Sequence, residues 1–288
     1  MEIINGDQLV SILESRKKKI GILDNNSISF MCKIRFSSKI EQVIRKYDII
    51  LIPKWVYYEI GDSEERVLYL NSLENEKVRI YIVDEMEYEQ ISKYKTIWLY
   101  KFFLYSCFKI GKLKSFLKRN VEKDSKLEDL EDYDIWINAF YDNAFEGSKL
   151  KNGRVQRKNA GEISICVLSL IISYIYNNEH SITIISSDRD AYDFLQESRE
   201  LIKKDRDLNN KQSICITFKS NDAIIKEINN RRLLLENKSI EEIIKFRDER
   251  RVKYTINSED GSVEDYDKVV KDNDFRKLLD EMTFNIIF

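Results

Sequence analysis

The 288-residue chain has a single histidine, His180, a single proline and only eight glycines. One histidine excludes a ribonuclease that uses two histidines as acid and base, and it argues against a histidine-ligated zinc hydrolase. The chain has no Gly-x-Ser-x-Gly elbow, no Gly-x-x-x-x-Gly-Lys-[Ser/Thr] loop and no Gly-x-Gly-x-x-Gly turn. Serine hydrolase, ATPase and dehydrogenase functions therefore lose their main support. We expect His180 to be a plain loop residue.

Paired cysteines and long apolar runs are also missing. The four cysteines are far apart and form no Cys-x-x-Cys pair, which argues against a zinc knuckle or a redox dithiol. The longest apolar run, at residues 163–176, is too short to span a membrane, and the N-terminus shows no basic-then-apolar leader. We expect a cytoplasmic protein without membrane contact. Because the formal net charge is -2, nucleic-acid binding would depend on local basic patches.

Short runs rich in Ile and Val alternate with helical stretches along most of the chain. Continuous apolarity indicates strands that are buried on both faces, and alternation with helices indicates a parallel sheet with crossover helices. The predicted strands are 18–24, 47–52, 78–83, 181–187 and 213–218. The predicted helices are 7–17, 38–46, 55–73, 162–178, 190–204 and 223–235. The expected fold class is α/β, with a central parallel sheet flanked by helices.

Two regions depart from this alternation. Residues 85–142 are rich in aromatic side chains and contain no good strand, so we expect a helical insertion at about residues 85–150. Beyond residue 235 the chain is polar and highly charged, and it ends on an apolar FNIIF. We therefore divide the chain into a main domain at residues 1–235, which includes the insertion, and a polar, helical C-terminal extension at residues 236–288.

Acidic side chains stand where several predicted strands end. Asp24 and Asp188 each follow a strand, and Glu59 lies one or two turns into the helix that follows another. Glu162 leads a helix that is apolar on every side, which predicts that this carboxylate is held near the core. Ligands of open α/β sheets bind beyond the carboxyl ends of the strands, so we expect the four acids to meet at this edge.

Each acid also has a purely structural interpretation. Asp24 and Asp188 could cap helices. Glu162 could complete a capping box that begins at Asn159, and Glu59 could be a solvated helix residue. Four clustered carboxylates repel one another, however, and such a cluster either takes up protons or binds a cation. Oxygen-only ligation selects Mg²⁺ or Mn²⁺, and one or two such ions can activate water and neutralise charge during phosphodiester hydrolysis.

The order and context of GILDNN, IPKWVYYEIG, NAGEISICVLSLII and TIISSDRDAYDFL resemble the PIN domain, across residues 18–83 and 155–220. That family is known for metal-dependent ribonucleases, including toxins of bacterial toxin-antitoxin pairs. The resemblance implies a three-layer PIN-like fold. It also implies metal-binding and catalytic roles for Asp24, Glu59, Glu162 and Asp188, with Asp190 as an accessory metal ligand. Many members of the family carry Asp where this chain has Glu162.

Two short features are candidates for contact with substrate. A basic segment precedes the third acid and could engage phosphates, so we assign Arg154, Arg157 and Lys158 to substrate binding; the alternative is a solvated loop. Ser186 or Ser187 occupies the place where a hydroxyl often supports a PIN site. We assign Ser187 to substrate binding as well.

Residues 95–119 interleave lysine and arginine with aromatic side chains, as grooves for single-stranded nucleic acid do. We favour a simpler interpretation of this segment. In it, the aromatic side chains belong to the core of a helix and the basic side chains form its solvated face.

We therefore predict a nuclease that depends on Mg²⁺ or Mn²⁺, and the resemblance favours an endoribonuclease, acting as a toxin or defence effector, over a DNA enzyme. Its expected partners are nucleic acid, an antitoxin or other regulatory protein, and a second copy of the chain. Two alternatives stay open. One is a PIN-like binding or regulatory module without catalysis, and the other is a structure-specific DNA nuclease in which the insertion forms a helical arch.

Overall fold

A computed structural model of the chain describes residues 1–123, 129–149, 155–176, 180–257, 262–281 and 283–288. The strands are β1 (Glu2–Ile4), β2 (Lys19–Leu23), β3 (Ile49–Pro53), β4 (Ile80–Val83), β5 (Gly147–Lys149), β6 (Val155–Arg157), β7 (Ser181–Ile185), β8 (Ile216–Lys219), β9 (Arg250–Asn257), β10 (Val263–Val270) and β11 (Phe284–Ile286). The helices are α1 (Gly6–Ser15), α2 (Asn25–Ile34), α3 (Glu41–Ile44), α4 (Lys54–Ile60), α5 (Glu64–Asn75), α6 (Tyr88–Ile91), α7 (Thr96–Ser106), α8 (Gly111–Asn120), α9 (Tyr133–Ala139), α10 (Ala160–Ile175), α11 (Arg189–Lys204), α12 (Asn221–Asn230), α13 (Glu241–Ile244) and α14 (Asp272–Asp280).

Six parallel strands form the central sheet, in the order β1-β4-β3-β2-β7-β8, and helices flank it. β3 is buried along all five of its residues, as expected for a strand that is covered on both faces. The predicted strands correspond to β2, β3, β4, β7 and β8. The expected α/β class with a central parallel sheet is therefore confirmed.

Within the central sheet the sequence pattern missed one strand, and among the flanking helices it missed α2 and merged two others. β1 has only three residues and pairs with β4 alone, at the edge of the sheet, so it carries little periodicity. The single helix expected at residues 55–73 is in fact α4 and α5. The Ser63 hydroxyl accepts from the backbone N–H of Arg66 at 3.4 Å and begins α5 anew. This break leaves α4 as a short helix that starts at the carboxyl end of β3.

The expected helical insertion is confirmed in the described residues, where α6 to α9 follow β4. Phe102 and Phe103 of α7 are fully buried, and Trp136 of α9 meets Phe103 edge to face at 5.2 Å between ring centroids. The aromatic side chains of this segment therefore form core, as we favoured. Lys101 departs from the expected solvated face, because it is buried and pairs with Asp205 at 2.9 Å.

No strand was predicted in the basic segment before α10, but β5 and β6 pair there as an antiparallel hairpin. Residues 150–154, between the two strands, lie outside the described residues. α10 itself is buried over nearly its whole length. Across the described parts of the chain, no helix has the length and apolarity needed to cross a membrane.

His180 is not the plain loop residue that we expected, because it is buried just before β7. Its Nδ1 accepts from the backbone N–H of Lys18 at 3.0 Å, and its Nε2 lies 2.8 Å from the carbonyl oxygen of Leu13. Burial lowers the pKa of the imidazole. The ring therefore ties the end of α1 to the start of β2 and has a structural role.

The expectation of a helical C-terminal extension was wrong, because much of this region forms an antiparallel sheet in the order β10-β9-β11. Val252 and Tyr254 of β9 are buried, whereas Lys253 between them is partly exposed. This alternation is typical of a strand with one buried face, but the charged residues on the open face concealed it in the sequence. The apolar FNIIF end supplies β11, which pairs with β9.

Candidate metal centre

β2 stands where the order of the central sheet changes direction, since β3 lies on one side of it and β7 on the other. Open α/β sheets bind ligands outside the carboxyl ends of their strands at such a switch point. Asp24 directly follows β2, and its backbone N–H donates to the carbonyl of Ile185, the last residue of β7, at 3.1 Å. Asp188 comes three residues after β7. The fold therefore brings two of the predicted acids to the switch point.

One serine hydroxyl joins these two acids. The Ser186 hydroxyl donates to Asp24 Oδ2 at 2.8 Å and accepts from the backbone N–H of Asp188 at 3.0 Å. Asp24 Oδ1 also accepts from the N–H of Asn25 at 2.7 Å. Asp188 Oδ1 accepts from the N–H of Asp190 at 2.8 Å. Both acids are helix caps, and each carboxylate still has lone pairs for another ligand.

The environment of Asp24 disfavours its charged form. The side chain is only 4% exposed. Burial raises the pKa of its carboxyl to about 6, and repulsion from Asp188 acts in the same direction, while the hydrogen bond from Ser186 opposes them. A proton or a cation would therefore stabilise this carboxyl group near neutral pH.

Glu59 projects from α4 and is held by residues that the sequence did not predict. Asn25 Nδ2 donates to Glu59 Oε2 at 3.2 Å. Arg66 of α5 donates to the Glu59 carbonyl oxygen at 3.2 Å and to the Ser29 hydroxyl at 3.2 Å, and it also donates to the Asn25 side chain. Burial raises the pKa of the Glu59 carboxyl to about 7, and repulsion from Asp24 adds to this effect.

Glu162 lies in the first turn of α10, and its Oε2 is buried without a hydrogen-bond partner. The capping box with Asn159 does not form, because Asn159 adopts a left-handed conformation with φ of 65° and its side chain caps nothing. Burial, together with repulsion from Asp24 and Asp188, raises the pKa of the Glu162 carboxyl to about 8. Glu162 is thus a half-buried acid with one buried oxygen that has no hydrogen-bond partner among the described residues.

Gly161 allows α10 to approach α4 closely. A Cβ atom at this position would lie 3.1 Å from Val56 Cγ2 and 3.6 Å from Glu59 Oε1. The absence of a side chain here therefore lets the carboxylate of Glu59 sit against the turn that carries Glu162.

The four acids lie in one region of the molecule rather than on separate surfaces, because repulsion from Asp24, Asp188 and Glu59 all contributes to the raised pKa of Glu162. They do not form a complete ligand set as they stand. Among the described residues, no three Asp, Glu, His or Cys side chains are arranged to hold a metal ion. Buried oxygen-only donors and an unpartnered carboxylate oxygen fit a hard divalent cation, provided that these side chains turn toward one another.

A further carboxylate, the buried Glu85, lies near the same edge of the sheet, two residues after β4. Its Oε1 accepts from the backbone N–H of Trp55 in the first turn of α4 at 3.3 Å. Burial raises the pKa of its carboxyl to about 8. In the sequence it stands among other acids, at Asp84 and Glu87, and nothing distinguished it from a solvated acidic run. Glu85 holds the start of the helix that carries Glu59.

Of the basic residues that we assigned to substrate binding, Arg157 ends β6 and Lys158 follows it. Arg157 Nη2 donates to Asp142 at 3.0 Å, and its guanidinium lies 5.7 Å from the centre of the Trp55 ring. Trp55 is one turn before Glu59 on α4, so Arg157 borders the helix that carries the second acid. Lys158 is exposed. Arg154 lies outside the described residues.

The two remaining residues that we assigned to the site, Ser187 and Asp190, lie close to Asp188 in the chain. The Ser187 hydroxyl accepts from the backbone N–H of Asn221 at 2.8 Å, which ties the end of β7 to the start of α12. Ser186, rather than Ser187, is the hydroxyl that supports an acid. Asp190 is exposed in the first turn of α11, two residues from Asp188.

No family model, no curated protein and no solved structure matched the chain when it was compared with each. The resemblance to the PIN domain therefore depends on the four motifs and on the sheet-edge arrangement described above.

Proposed function

We propose that this chain is a metal-dependent nuclease of the PIN-like kind, which hydrolyses phosphodiester bonds with Mg²⁺ or Mn²⁺. The observation that carries the proposal is Glu162, whose Oε2 is buried without a partner beside three further acids at the switch point of the sheet. Burying a carboxylate without compensation is costly, so proteins seldom retain one unless a cation or a proton completes it. RNA as the substrate is proposed from the PIN resemblance alone.

Some residues at this centre orient the carboxylates, and others would bind the ion. Ser186 and Asn25 fix the orientation of Asp24, whereas Glu162 has no hydrogen bond on Oε2 that an ion would need to displace. Asp190 is placed to act as an accessory ligand. A divalent ion held there would supply a Lewis acid that activates water and offsets charge on the phosphate.

Basic groups beside the centre would hold the substrate strand. Arg157 and Lys158 stand directly before α10, where their charges can meet phosphate groups. Tyr58 of α4 is exposed next to Glu59 and meets Trp55 edge to face at 5.5 Å, so α4 also offers an aromatic surface to a base.

The test is a cleavage assay on labelled RNA, single-stranded DNA and duplex DNA, with Mg²⁺, with Mn²⁺ or with chelator. Asp24→Asn and Glu162→Gln should each reduce cleavage by more than roughly 100-fold, because even supporting residues of metal sites cost about 10–100-fold. Asp193→Asn, an exposed acid of α11, is the matched control and should cleave like the unaltered chain. Cleavage that survives chelator and both substitutions would contradict the proposal.

A binding or regulatory module without catalysis is the second candidate, and one observation favours it: the carboxylates of the described residues are not already arranged around an ion. Calorimetric titration with Mn²⁺ separates the two. If the unaltered chain binds Mn²⁺ saturably and cleaves nucleic acid, and Glu162→Gln loses both, the nuclease is supported. If the unaltered chain shows no Mn²⁺ binding and no cleavage, the module is supported.

The structure-specific DNA nuclease gains no support from the insertion. The expected arch would have to stand open for a strand to pass. Instead α7 packs against α10 and α11, and its Phe102 and Phe103 are fully buried.

A further inference from the structure

A polar basin lies on one face of the central sheet, over β2, β7 and β8. Lys19 pairs in register with Ser181, and Thr183 pairs with Thr217. Alternate residues of a strand point to the same face, so Lys219 joins them two residues beyond Thr217. The basin has a volume of about 400 Å³ and is lined by these residues together with Lys46 and Tyr47.

This face is unlike the rest of the sheet. Strands of a parallel sheet that is covered on both faces are normally apolar throughout, and the opposite face of β7 and β8 follows this rule with buried Ile182, Ile184 and Ile216. The basin face carries lysines and hydroxyls instead. Whatever covers it must therefore be able to satisfy polar and positively charged groups.

Positive charge exceeds negative charge in and around the basin. Lys46 Nζ lies 3.0 Å from Glu227 Oε2, and Lys219 pairs with the same carboxylate. Arg231 donates to its other oxygen at 2.8 Å. One carboxylate thus serves three cations.

Lys19 adds a further cation at the mouth of the basin, where the only opposing acid that the described contacts show is Asp48, which accepts from the Lys19 backbone N–H at 2.7 Å. Burial lowers the pKa of the Lys219 ammonium to about 8, and repulsion from Lys46 acts in the same direction, while the pair with Glu227 opposes them. In the described contacts, the basin and its rim therefore hold more cationic groups than carboxylates.

Hydroxyl groups stand beside the ammonium groups. Thr183 Oγ1 lies 3.1 Å from Thr217 Oγ1, and Thr217 Oγ1 donates to the carbonyl of Ile182 at 3.1 Å. Because Thr217 gives its hydroxyl proton to Ile182, the hydroxyl that can turn toward a ligand as a donor is that of Thr183. Ammonium and hydroxyl donors that converge on one cavity match the acceptor oxygens of a phosphate group. The cavity is also within the range of about 300–1,000 Å³ that small-molecule sites occupy.

We propose that this basin binds a small molecule that carries a phosphate group, through Lys19, Lys46, Lys219 and the Thr183 hydroxyl. The site is separate from the candidate metal centre. Lys19 begins β2 and Asp24 follows its end, so the two sites are about 16 Å apart along a strand that rises roughly 3.3 Å per residue.

The test is isothermal titration calorimetry with inorganic phosphate and with ribose 5-phosphate, in the presence of chelator and at constant ionic strength. We expect one saturable site per chain. Lys46→Gln and Thr183→Val should each weaken binding roughly tenfold, because each removes a donor to a charged acceptor. Lys39→Gln, an exposed lysine outside the basin, is the control and should bind like the unaltered chain. Asp24→Asn should also leave binding unchanged, which separates this proposal from the nuclease.

Three results would overturn the proposal. The first is no saturable heat with either probe, and the second is an equal loss of affinity in Lys39→Gln and Lys46→Gln. The third is a titration with potassium chloride that gives the same saturable heat as the phosphate probes. A 5′-phosphorylated RNA oligonucleotide distinguishes the source of the phosphate. If it binds through Lys46 more than tenfold better than ribose 5-phosphate, the basin serves a nucleic-acid end and the small-molecule assignment is wrong.

Discussion

Asp222 and Glu162 are both carboxylates in the first turn of a helix, in α12 and α10, yet their surroundings are opposite. Asp222 is fully buried, and its two oxygens accept from Arg247 Nε at 2.6 Å and from Arg250 Nε at 2.9 Å. Glu162 has a buried oxygen with no partner, and its neighbours are other acids. One carboxylate is neutralised by the protein and the other is not.

The difference between Asp222 and Glu162 indicates a structural role for the first and a role in binding for the second. The chain can place arginine beside a buried acid, and at Asp222 it places two, which join the C-terminal extension to the main sheet. At Glu162 no side chain in the described parts of the chain pairs with the buried oxygen in this way. An arginine or lysine paired with Glu162 would occupy the carboxylate oxygens that a metal ion needs. A metal site therefore requires a carboxylate that is not paired in this way.

Removal of Asp222 should have the largest effect on stability. Asp222→Ala leaves the guanidinium groups of Arg247 and Arg250 buried without their shared partner, and breaking a buried ion pair costs about 3–5 kcal/mol. Urea denaturation at pH 7 measures the loss. The matched control is Asp193→Ala, whose pair with Arg189 is exposed and should be worth about 0–1 kcal/mol. Equal losses in the two variants would show that the Asp222 cluster is not the buried anchor that its contacts indicate.

The metal centre should respond to pH in a way that the Asp222 cluster does not explain. Burial raises the pKa of Glu162 from 4.5 to about 8 and that of Glu59 from 4.5 to about 7. Between the ordinary and the raised pKa, the folded chain retains a proton that the unfolded chain releases, so stability falls as pH rises. With chelator present, we expect stability to fall from pH 5 to pH 8, by about 1.4 kcal/mol for each pH unit over which one of these groups keeps its proton only in the folded chain.

Glu162→Gln should flatten this pH profile, because the amide cannot ionise, and it should be more stable than the unaltered chain at pH 8. Glu236→Gln, an exposed glutamate, is the control and should keep the original slope. Urea denaturation at unit steps of pH gives the profiles. A stability that rises from pH 5 to pH 8, or an unchanged slope in Glu162→Gln, would show that Glu162 is not buried among like charges.

The sequence predicted the parts of the fold that depend on local pattern. β3 and β7 are uninterrupted apolar runs, so their positions were visible without the structure. Asp24 and Asp188 followed from the rule that ligands lie beyond the strand ends. The hairpin of β9 and β10 was missed because charged side chains on its open face obscured the alternation.

The supporting residues of the centre could not be predicted because they depend on contacts between distant segments. Arg66 reaches Asn25 and Glu59 only once α5 packs beside α2. Arg247 and Arg250 meet Asp222 only when the extension folds back on the sheet. Neither arrangement leaves a periodic or local signal in the sequence.

Substitution of Glu85 should have the smallest effect on the free energy of unfolding. Glu85 is a third kind of buried acid, because its carboxylate accepts from a backbone N–H and does not pair with a cation as Asp222 does. Burial raises its pKa to about 8, so it should be protonated at pH 7. Glu85→Gln should then change the free energy of unfolding at pH 7 by less than about 0.5 kcal/mol, whereas Glu85→Ala, which leaves the Trp55 N–H unpaired, should cost about 1–3 kcal/mol. Above pH 8 the unaltered chain must ionise the buried Glu85, so Glu85→Gln should become more stable than the unaltered chain. Urea denaturation at pH 7 and pH 9 tests both points. If Glu85→Gln is as damaging as Glu85→Ala at pH 7, Glu85 is charged there, and burial alone would not mark an acid as a candidate for binding a proton or an ion.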